Sequence, residues 1–541
     1  MNFRKIFTLL LAVIMMCTVL TACEEDDGSG YTFRANLESN PQNLDPQLAE
    51  DRESKAVIAN MMSGLVKKNA DGAIVPDAAE SYTISDDELT YTFELKKNIT
   101  WESVNGFKAN MKAEDFVFAF QRIFDPDALY SPYIEEFACI KNAYSVAKGE
   151  KDRSALGVKA TSDYTLQIEL EYPYFGFLEL LTTTAAMPCN ELFFQSTKGR
   201  YGLAAETTAS NGAFYMKEWN YDPYWDNNYI IMRRNKSNSA ADMVYPYSIN
   251  YFITGDSSAD ADSFKKGDID CYVPDNYDKK LLKDGNFKQY NTKSYGLVFN
   301  TSSKYFSNKN LRTALASAFS REVYAGVLDN GLTTAYGIVP DAVTVMGKSY
   351  RNLIPDISMD MYNVKTAREL WYSELAAQDI VSVDGIKITV PESFAGADYL
   401  KYVTEQWQQN LDFYCGIEVV SQNEYEMKIA EGTYEILLAE IAPESGEPSE
   451  FFDFFCDTKN KITKGVLQSA ACGYIYGVTK AENLSKAITL YTNAESNIIN
   501  SAVYIPLFYG CEHFVYDVKA EDLTYQPFSR QVEFRYAKYF D

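Results

Sequence analysis

The side chains that most often carry out catalysis are few or unsuitably placed in this sequence. The 541-residue chain contains one histidine, His513, which lies in the apolar stretch GCEHFVY without a nucleophile elbow. A Ser-His-Asp triad would have to use this residue, and a zinc motif with two histidines is impossible. Neither GxxxxGK[ST] nor GxGxxG occurs, so nucleotide cofactors lack their usual phosphate-binding loop. We therefore expect no enzymatic activity, no metal and no cofactor.

Paired carboxylates are the one catalytic arrangement that the composition leaves open. The chain has 75 aspartates and glutamates, and so many acidic residues always offer pairs of the kind used in glycoside cleavage. Their abundance therefore does not locate a site. A carboxylate-based surface hydrolase stays as an alternative to a binding protein.

The cysteines are not spaced for metal binding or for thiol redox chemistry. Cys17 lies in an apolar N-terminal segment, and Cys23 follows that segment. No CxxC or CxxxC spacing occurs among the other seven, which argues against a zinc knuckle and a thioredoxin motif. These seven are Cys139, Cys189, Cys271, Cys415, Cys456, Cys472 and Cys511. We expect small buried residues, with one or two disulfides allowed by an exported location.

The first 30 residues indicate export and attachment to a membrane. Arg4 and Lys5 precede a short apolar run from Ile6 to Val19, and LTAC then resembles the lipobox of bacterial lipoproteins, with Cys23 as the acylated residue. The alternatives are an ordinary cleaved signal or a membrane anchor. We predict a lipoprotein signal peptide over residues 1–22 and an acidic, flexible tether over 23–30, whose sequence after Cys23 is EEDDGSG.

Charge and length restrict the rest of the chain. The formal net charge is -25, so phosphate backbones and anionic lipid would repel it, and we expect no nucleic-acid partner. No segment after the signal is apolar for long enough to cross a bilayer. About 510 residues are too many for one hydrophobic core, which predicts two or three lobes.

Hydrophobic periodicity predicts an α/β protein. Residues 89–95 and 164–170 alternate between apolar and polar residues, as half-buried strands do, and Phe116 to Ile123 repeat at helical spacing between them. Helical spacing returns at Leu311 to Phe319 and at Leu400 to Leu411. Helices that alternate with strands over hundreds of residues are typical of α/β folds.

Several strings, taken in order, resemble family 5 solute-binding proteins, the oligopeptide- and dipeptide-binding subunits of ABC importers. These strings are NPQNLDPQ (40–47), VPDAAESYTISDDELTYTFELKKNITW (75–101), KAEDFVFAFQRIFDP (112–126), SNGAFYMKEW (210–219), DSSADADSFKKGDIDC (256–271) and FNTSSKYFSNKNLRTALASAFSREV (299–323). The resemblance implies a periplasmic-binding-protein-like fold of type II, peptide-binding subclass, with two hinged lobes and an extra inserted lobe. Lobe I would comprise 31–58, 178–293 and 503–541, inserted lobe II 59–177, and lobe III 294–502. The hinge segments would lie near 293–299 and 503–508.

The resemblance also implies where a ligand would bind. Matching around Leu-Asp-Pro gives one peptide-binding segment at Glu50, Asp51 and Arg52, and matching around Glu447-Pro448 gives a second at Glu440, Ile441 and Ala442. The same register makes Glu444 the receptor for a peptide ammonium. Tyr295 is also among the predicted ligand-binding residues. Ile441 and Glu444 depart from the family pattern, in which tryptophan and aspartate are common at these positions.

We therefore predict a monomeric substrate-binding lipoprotein of an ABC importer. It would hold a short peptide between two lobes and deliver it to the permease and ATPase subunits. Its location would be extracytoplasmic, at the outer face of the cytoplasmic membrane, with membrane contact through the lipid on Cys23. The alternatives within the same fold are a non-peptide solute, a signalling peptide, or an adhesin that has lost transport.

Overall fold

The computed structural model describes residues 30–540, except 128–130, 225–226, 239–242, 275–279, 281–282, 330, 356, 358–361, 444, 457–461 and 463–468. The predicted signal peptide and most of the predicted tether, with Cys23, lie outside this range. The strands are β1 (Thr32–Leu37), β2 (Val66–Lys68), β3 (Ile74–Pro76), β4 (Ala79–Ile84), β5 (Thr90–Leu95), β6 (Thr100–Glu102), β7 (Lys108–Asn110), β8 (Val158–Ser162), β9 (Thr165–Glu169), β10 (Phe214–Asn220), β11 (Tyr229–Arg234), β12 (Ser248–Ile253), β13 (Cys271–Tyr272), β14 (Asn286–Phe299), β15 (Leu332–Thr334), β16 (Thr344–Val345), β17 (Lys348–Ser349), β18 (Lys387–Pro391), β19 (Gly416–Val420), β20 (Ile436–Ile441), β21 (Tyr504–Tyr516), β22 (Ala520–Glu521), β23 (Thr524–Gln526), β24 (Gln531–Glu533) and β25 (Lys538–Tyr539).

The helices are α1 (Arg52–Met61), α2 (Ala113–Ile123), α3 (Ala143–Ala147), α4 (Phe177–Leu180), α5 (Glu191–Ser196), α6 (Asp260–Lys266), α7 (Lys309–Ser317), α8 (Glu322–Ala325), α9 (Tyr350–Leu353), α10 (Val364–Ala377), α11 (Leu400–Leu411), α12 (Gln422–Glu431), α13 (Pro448–Asp453), α14 (Ser469–Val478) and α15 (Leu484–Ser501). Short 3-10 turns cover Arg153–Ala155, Thr184–Ala186, Ala205–Thr207 and Ala397–Tyr399. Among the described residues, no helix combines the length and the apolar character needed to cross a membrane.

The clearest periodic patterns form the predicted elements. In β5, Tyr91, Phe93 and Leu95 are buried and alternate with more exposed residues, so the period of two puts one face of the strand on the core. In α2, Phe116, Phe120 and Ile123 lie on the buried side. The predictions of strands near 89–95 and 164–170 and of helices near 116–123, 311–319 and 400–411 are confirmed.

Three main sheets organise the chain, and they correspond to the three regions that the sequence predicts as lobes. The first, in lobe I, has the order β1-β12-β11-β10, and β1 runs parallel to β12 with Thr32 opposite Ser248. The second, in the inserted lobe II, is antiparallel with the order β4-β5-β9-β8. The third has the order β13-β21-β14-β20-β18-β19 and belongs mainly to lobe III.

Two long strands join lobe I to lobe III. β14 and β21 pair antiparallel from Asn286 opposite Tyr516 to Val298 opposite Tyr504, with register shifts after Asn291 and after Tyr295. Near one end Phe514 is buried in the core shared by lobes I and II. Near the other end, Leu297 is buried in a core of lobe III. Each strand therefore passes from one hydrophobic core to the next.

Two further features bind separate parts of the chain together. The amide of Phe175, at the end of lobe II, donates a hydrogen bond to the carbonyl of Thr479 in lobe III, at 3.2 Å. A disulfide connects Cys456 with Cys472 within lobe III. Cys139, Cys189 and Cys271 are buried thiols, as the composition predicted.

Candidate ligand-binding site

A cleft of about 1200 Å³ separates lobes I and II from lobe III. One wall includes Glu50, Arg52, Lys55, Tyr133 and Glu136, the opposite wall includes Pro443, Ser445 and Glu450, and Thr292 and Lys293 of β14 lie between the walls. The C-terminal hairpin β23-β24 adds residues 526–531. Ligand pockets for drug-sized molecules are commonly about 300–1,000 Å³, so the cleft has room for a short peptide.

The first predicted binding segment lies on the wall formed by lobe I. Glu50 is exposed and, together with Arg52, lines the cleft. Arg52 is already paired, because its Nη2 atom lies 2.7 Å from Glu38 and 3.2 Å from Glu53. The Asp51 carboxylate caps helix α1 by accepting the amide of Ser54 at 2.9 Å. Of the three predicted residues, Asp51 therefore has a local structural role.

The segment before Glu50 is held by lobe II. The hydroxyl of the buried Tyr133 donates a short hydrogen bond to the carbonyl of Ala49. Burial, followed by the negative charges of Glu136, Glu50 and Asp51, raises the Tyr133 pKa, so this hydroxyl keeps its proton. Lys55 stands over the same ring at 5.8 Å from its centroid. The inserted lobe thus fixes the position of the wall in lobe I.

The second predicted segment is the carboxyl end of β20. Its residues 439–441 pair with Gly296, Tyr295 and Ser294 of β14 on one side. On the other side β18 pairs only with Ile436 and Leu437. In the described part of the chain, the last residues of β20 therefore have a strand neighbour on one side alone. A strand edge of this kind can pair with an extended peptide.

The predicted residues of this second segment have different environments. Glu440 is exposed and forms an ion pair with Lys293 at 2.8 Å, whereas Ile441 is buried and Ala442 is exposed. The predicted ammonium receptor, Glu444, lies outside the described residues. Its neighbours Pro443 and Ser445 line the cleft.

Tyr295 lies on β14 beside this segment. Its ring packs against Phe394, with 4.8 Å between the ring centroids, and it is not among the residues that line the cleft. Burial, and then the nearby Glu440 carboxylate, raise the Tyr295 pKa. The structure therefore places Glu50 and Arg52 in the wall of the cleft. Glu440, Ile441 and Ala442 are not among the lining residues, although Pro443 next to them is, and Tyr295 packs against the core of lobe III.

A group of cleft residues at the C-terminus was not predicted from the sequence. The guanidinium of Arg535 lies 2.7 Å from the Asp77 carboxylate and donates to the hydroxyl of Ser63 at 2.7 Å. Burial acts to raise the Asp77 pKa, but the positive charges of Arg535 and Lys67 outweigh it, so the pKa lies below its usual value. Lys67 also pairs with Glu533 at 2.9 Å. These contacts join the C-terminal segment to lobe II.

The walls of the cleft therefore carry many charges that are already paired within the protein. Such a surface suits a ligand that is held through its backbone and its ends, because few charged side chains are left to select one ligand side chain. The histidine singled out in the sequence, His513, is not among the residues that line the cleft. Its side chain is buried beside Phe287, and burial lowers the pKa of its imidazole.

Comparison with known proteins agrees with this geometry. The sequence model described as "Bacterial extracellular solute-binding proteins, family 5 Middle" matches residues 73–462. The oligopeptide-binding protein OppA of Bacillus subtilis (strain 168) is 25% identical over 566 aligned residues, which cover 99% of each chain. The solved structure "MppA Periplasmic Murein Tripeptide Binding Protein, Unliganded Open Form" has a TM-score of 0.73 at 22% identity, with 94% of this chain and 97% of that chain covered. "Listeria monocytogenes OppA bound to peptide" has a TM-score of 0.57 at 22% identity, with 95% and 100% covered.

The match to the family covers well over half of the chain, so this protein belongs to the bacterial extracellular solute-binding proteins of family 5. The predicted family and the predicted two-lobed α/β fold are confirmed. The proteins of this family bind solutes outside the cytoplasm and are not classed as enzymes. The limits of the lobes and the individual ligand-binding residues stay predictions.

Proposed function

We propose that this protein is the lipid-anchored peptide receptor of an ABC importer. It captures a short peptide in the cleft between lobe I and lobe III and delivers it to a permease with its ATPase. The observation that carries this proposal is the cleft of about 1200 Å³, which has Glu50 on one wall and the half-paired end of β20 near the other. The relatives are an oligopeptide-binding protein and a murein tripeptide-binding protein, which supports a peptide as the ligand.

The peptide binds in an extended conformation. Its backbone adds a strand beside residues 439–442 and faces Glu50 to Arg52 on the other side. Glu444 receives the α-ammonium group at the amino end of the peptide. A carboxylate that binds an ammonium where water is excluded forms a charge-assisted hydrogen bond, which is stronger than a neutral one.

Binding closes the cleft. The TM-score is higher with the unliganded open form of MppA than with the peptide-bound OppA of Listeria, which supports an open arrangement in the present structure. β14 and β21 supply the connection about which the lobes rotate. A ligand favours the closed state only by binding it more tightly than the open state. The closed surface is then what the permease recognises.

The receptor stays at the outer face of the membrane. The lipid on Cys23 holds it there, and the tether that follows lets the folded domain approach a permease in several orientations. The tether spans roughly 15 Å as a flexible chain, from about 5–6 Å × √n.

Two measurements test the proposed function. Mass spectrometry of the protein purified from its native host should find co-purified short peptides, whereas a different class of solute would reject a peptide receptor. Calorimetry should then compare wild type with Glu444→Gln, and the free peptide with its N-acetylated form.

Removing one partner of a buried ion pair costs roughly 3–5 kcal/mol. Each single change should therefore lower affinity at least a hundredfold, at about 1.4 kcal/mol per factor of ten. The combined change should add little, because the pair is already broken. The matched control is Glu405→Gln, on the exposed side of α11 and away from the cleft. If both single changes keep affinity within threefold of wild type, Glu444 is not the ammonium receptor.

A further inference from the structure

Lys55 differs from the other cations that line the cleft in the partners of its charge. Six cleft cations each lie within ion-pair distance of a carboxylate, and these are Arg52, Lys67, Lys68, Lys293, Arg530 and Arg535. Lys55 lines the same cleft, but in the part of the chain that the structure describes its ammonium contacts neither a carboxylate oxygen nor another hydrogen-bond acceptor. An ammonium offers three donors, so the hydrogen-bonding capacity of Lys55 stays unused.

Helix stability does not account for a lysine at this position. Lys55 is the fourth residue of α1, and its amide donates to the carbonyl of Asp51 at 3.1 Å, so it lies in the first turn. The positive end of the helix dipole disfavours a cation there and favours an acidic residue. The side chain is also half-buried, which removes part of the water that would solvate its charge. No ion pair with a described residue offsets these costs.

The surroundings of Lys55 hold it at the wall of the cleft. Its ammonium lies over the ring of Tyr133, at 5.8 Å from the ring centroid. The hydroxyl of Tyr133 donates to the carbonyl of Ala49, and the hydroxyl of Ser131 donates to the carbonyl of Gln47 at 2.8 Å, so the ring is fixed to lobe I. The aromatic face attracts the cation, but it replaces none of the hydrogen bonds that an anion would accept. Lys55 is therefore positioned with its donors available to a ligand.

The acids on the same wall do not take the place of such a ligand. Glu136 interacts electrostatically with Lys55, but their charged atoms lie beyond the ~4 Å of an ion pair. A ligand carboxylate can approach to about 2.7–2.9 Å, where its attraction to the ammonium exceeds that of a more distant acid. Glu136 and the exposed Glu50 repel anions, so the overall field of this wall does not select a carboxylate. Selection depends on the direct contact with Lys55.

We infer that Lys55 is a specificity-determining residue, whose ammonium binds a carboxylate group of the bound peptide. This rests on the proposed function, because it takes the ligand to be a peptide, but it does not depend on the position of Glu444. Every free peptide has an α-carboxylate at its carboxyl end, and aspartate and glutamate side chains carry the same group. A hydrogen bond between a carboxylate and an ammonium is charge-assisted, and it becomes stronger where the closing lobes exclude water.

Double-mutant cycles between the protein and its ligand test this contact. Calorimetry measures the affinity of wild type and of Lys55→Met, which keeps an apolar stem and loses the charge, for tetra-alanine and for its C-terminal amide. Lys55→Met should lower the affinity for the free acid about tenfold more than the affinity for the amide, as expected for a hydrogen bond to a charged group. Lys55→Arg keeps a positive charge and its donors, so it should lose less than about threefold in the same comparison.

A second set of peptides identifies the source of the carboxylate. Four amidated peptides each carry one aspartate in place of an alanine, at positions 1 to 4, and are compared with amidated tetra-alanine. Coupling of Lys55→Met to the free carboxyl end assigns the α-carboxylate, whereas coupling to one aspartate position assigns an acidic side chain. Either result supports the contact. Coupling below about twofold in both sets overturns it.

The control is Lys304→Met, because Lys304 is exposed, lies over the ring of Tyr305 at 4.9 Å from its centroid and does not line the cleft. This variant should match wild type with all six peptides. Equal losses for the free acid and the amide in Lys55→Met would indicate a structural effect and would overturn the inference, while peptide binding by wild type leaves the proposed function intact. If wild type binds none of the peptides, the proposed function fails and the inference fails with it. Retained binding of the amide by Lys55→Met shows that the site is folded, and Lys55→Gln takes its place in the cycles if it is not.

Discussion

The ion pair between Arg535 and Asp77 should be the strongest charged contact that holds the C-terminal segment to lobe II. Arg535 and Asp77 are both buried, and 2.7 Å separates the Arg535 Nη1 atom from the Asp77 Oδ1 atom. Arg535→Met keeps most of the apolar stem and removes the charge. It leaves the Asp77 carboxylate buried with only the more distant positive charges of Lys67 and Lys96.

The expected cost follows from the burial of both groups. Breaking a buried pair by removing one partner costs roughly 3–5 kcal/mol, because the remaining charge is desolvated without compensation. The hydrogen bond to the Ser63 hydroxyl is lost as well. At an unfolding entropy of about 2.1 cal/mol/K per residue, a unit of about 300 residues, such as lobes I and II together, shifts by about 1.6 °C per kcal/mol. The unfolding midpoint should therefore fall by roughly 5–8 °C.

Thermal and urea unfolding of four proteins measures this contribution: wild type, Arg535→Met, Asp77→Asn and the double variant. The double variant should be more stable than the sum of the two single losses predicts, by at least about 2 kcal/mol, because it contains no unpaired charge. The control is Lys538→Met, which removes an exposed pair with Asp522 at 2.8 Å and should cost under about 1 kcal/mol. A loss below about 1 kcal/mol for Arg535→Met, or additive losses in the cycle, would refute the reasoning.

The same pair predicts a dependence on pH. The folded-state pKa of Asp77 is lowered, so its contribution is fully present above the unfolded value of about 3.9 and is lost as pH falls through the folded value. The difference in unfolding free energy between wild type and Arg535→Met should therefore be large at pH 7 and should shrink below about pH 4. A difference that stays constant between pH 7 and pH 3 would contradict the assignment.

Three further predictions concern the anchor, the lobes and the crossing strands. Labelled palmitate should enter wild type but not Cys23→Ala, and equal labelling of both would reject lipidation at this residue. Small-angle scattering should show a smaller radius of gyration when a peptide saturates the cleft, and an unchanged radius with demonstrated binding would exclude closure. Gly296→Ala should destabilise lobe III by about 1–3 kcal/mol or more, because a Cβ there overlaps the Tyr504 ring and lies 2.7 Å from the Ile505 carbonyl oxygen. Gly326→Ala is the control, because a Cβ at this position meets nothing within 4 Å, and it should change the free energy of unfolding little. Equal losses of stability in Gly296→Ala and Gly326→Ala would contradict the steric explanation.

The elements with regular hydrophobic periods could be predicted from the sequence, because the apolar residues that they bury recur at a fixed spacing within each element. Strand β5 and helices α2 and α11 are of this kind. The pairing of β1 with β12 could not be predicted in the same way, because Thr32 and Ser248 are joined only through the tertiary fold. Resemblance to a family, rather than periodicity, supplied the two lobes and the crossing segments.

The candidate site shows a similar division. The resemblance indicated Glu50, Asp51 and the segment around Glu440 as ligand-binding residues. For Asp51, the local sequence also contains a signal for a structural role, which the resemblance does not take into account. Asp51 directly precedes Arg52, the first residue of α1, and aspartate is a preferred N-cap residue; its carboxylate caps that helix. No sequence pattern indicates that Phe528 adopts a left-handed conformation, because the contact that stabilises it is made with Gly446 on another lobe.

The charge pairs of the cleft suggest how one receptor can accept peptides of varied sequence. Arg52 is paired with Glu38, Lys67 with Glu533, Arg530 with Glu512 and Lys293 with Glu440. A charged peptide side chain would have to compete with these existing partners, so it gains little free energy from the cleft walls. The backbone of a peptide is the same for every sequence, and the end of β20 can pair with it whatever its side chains are.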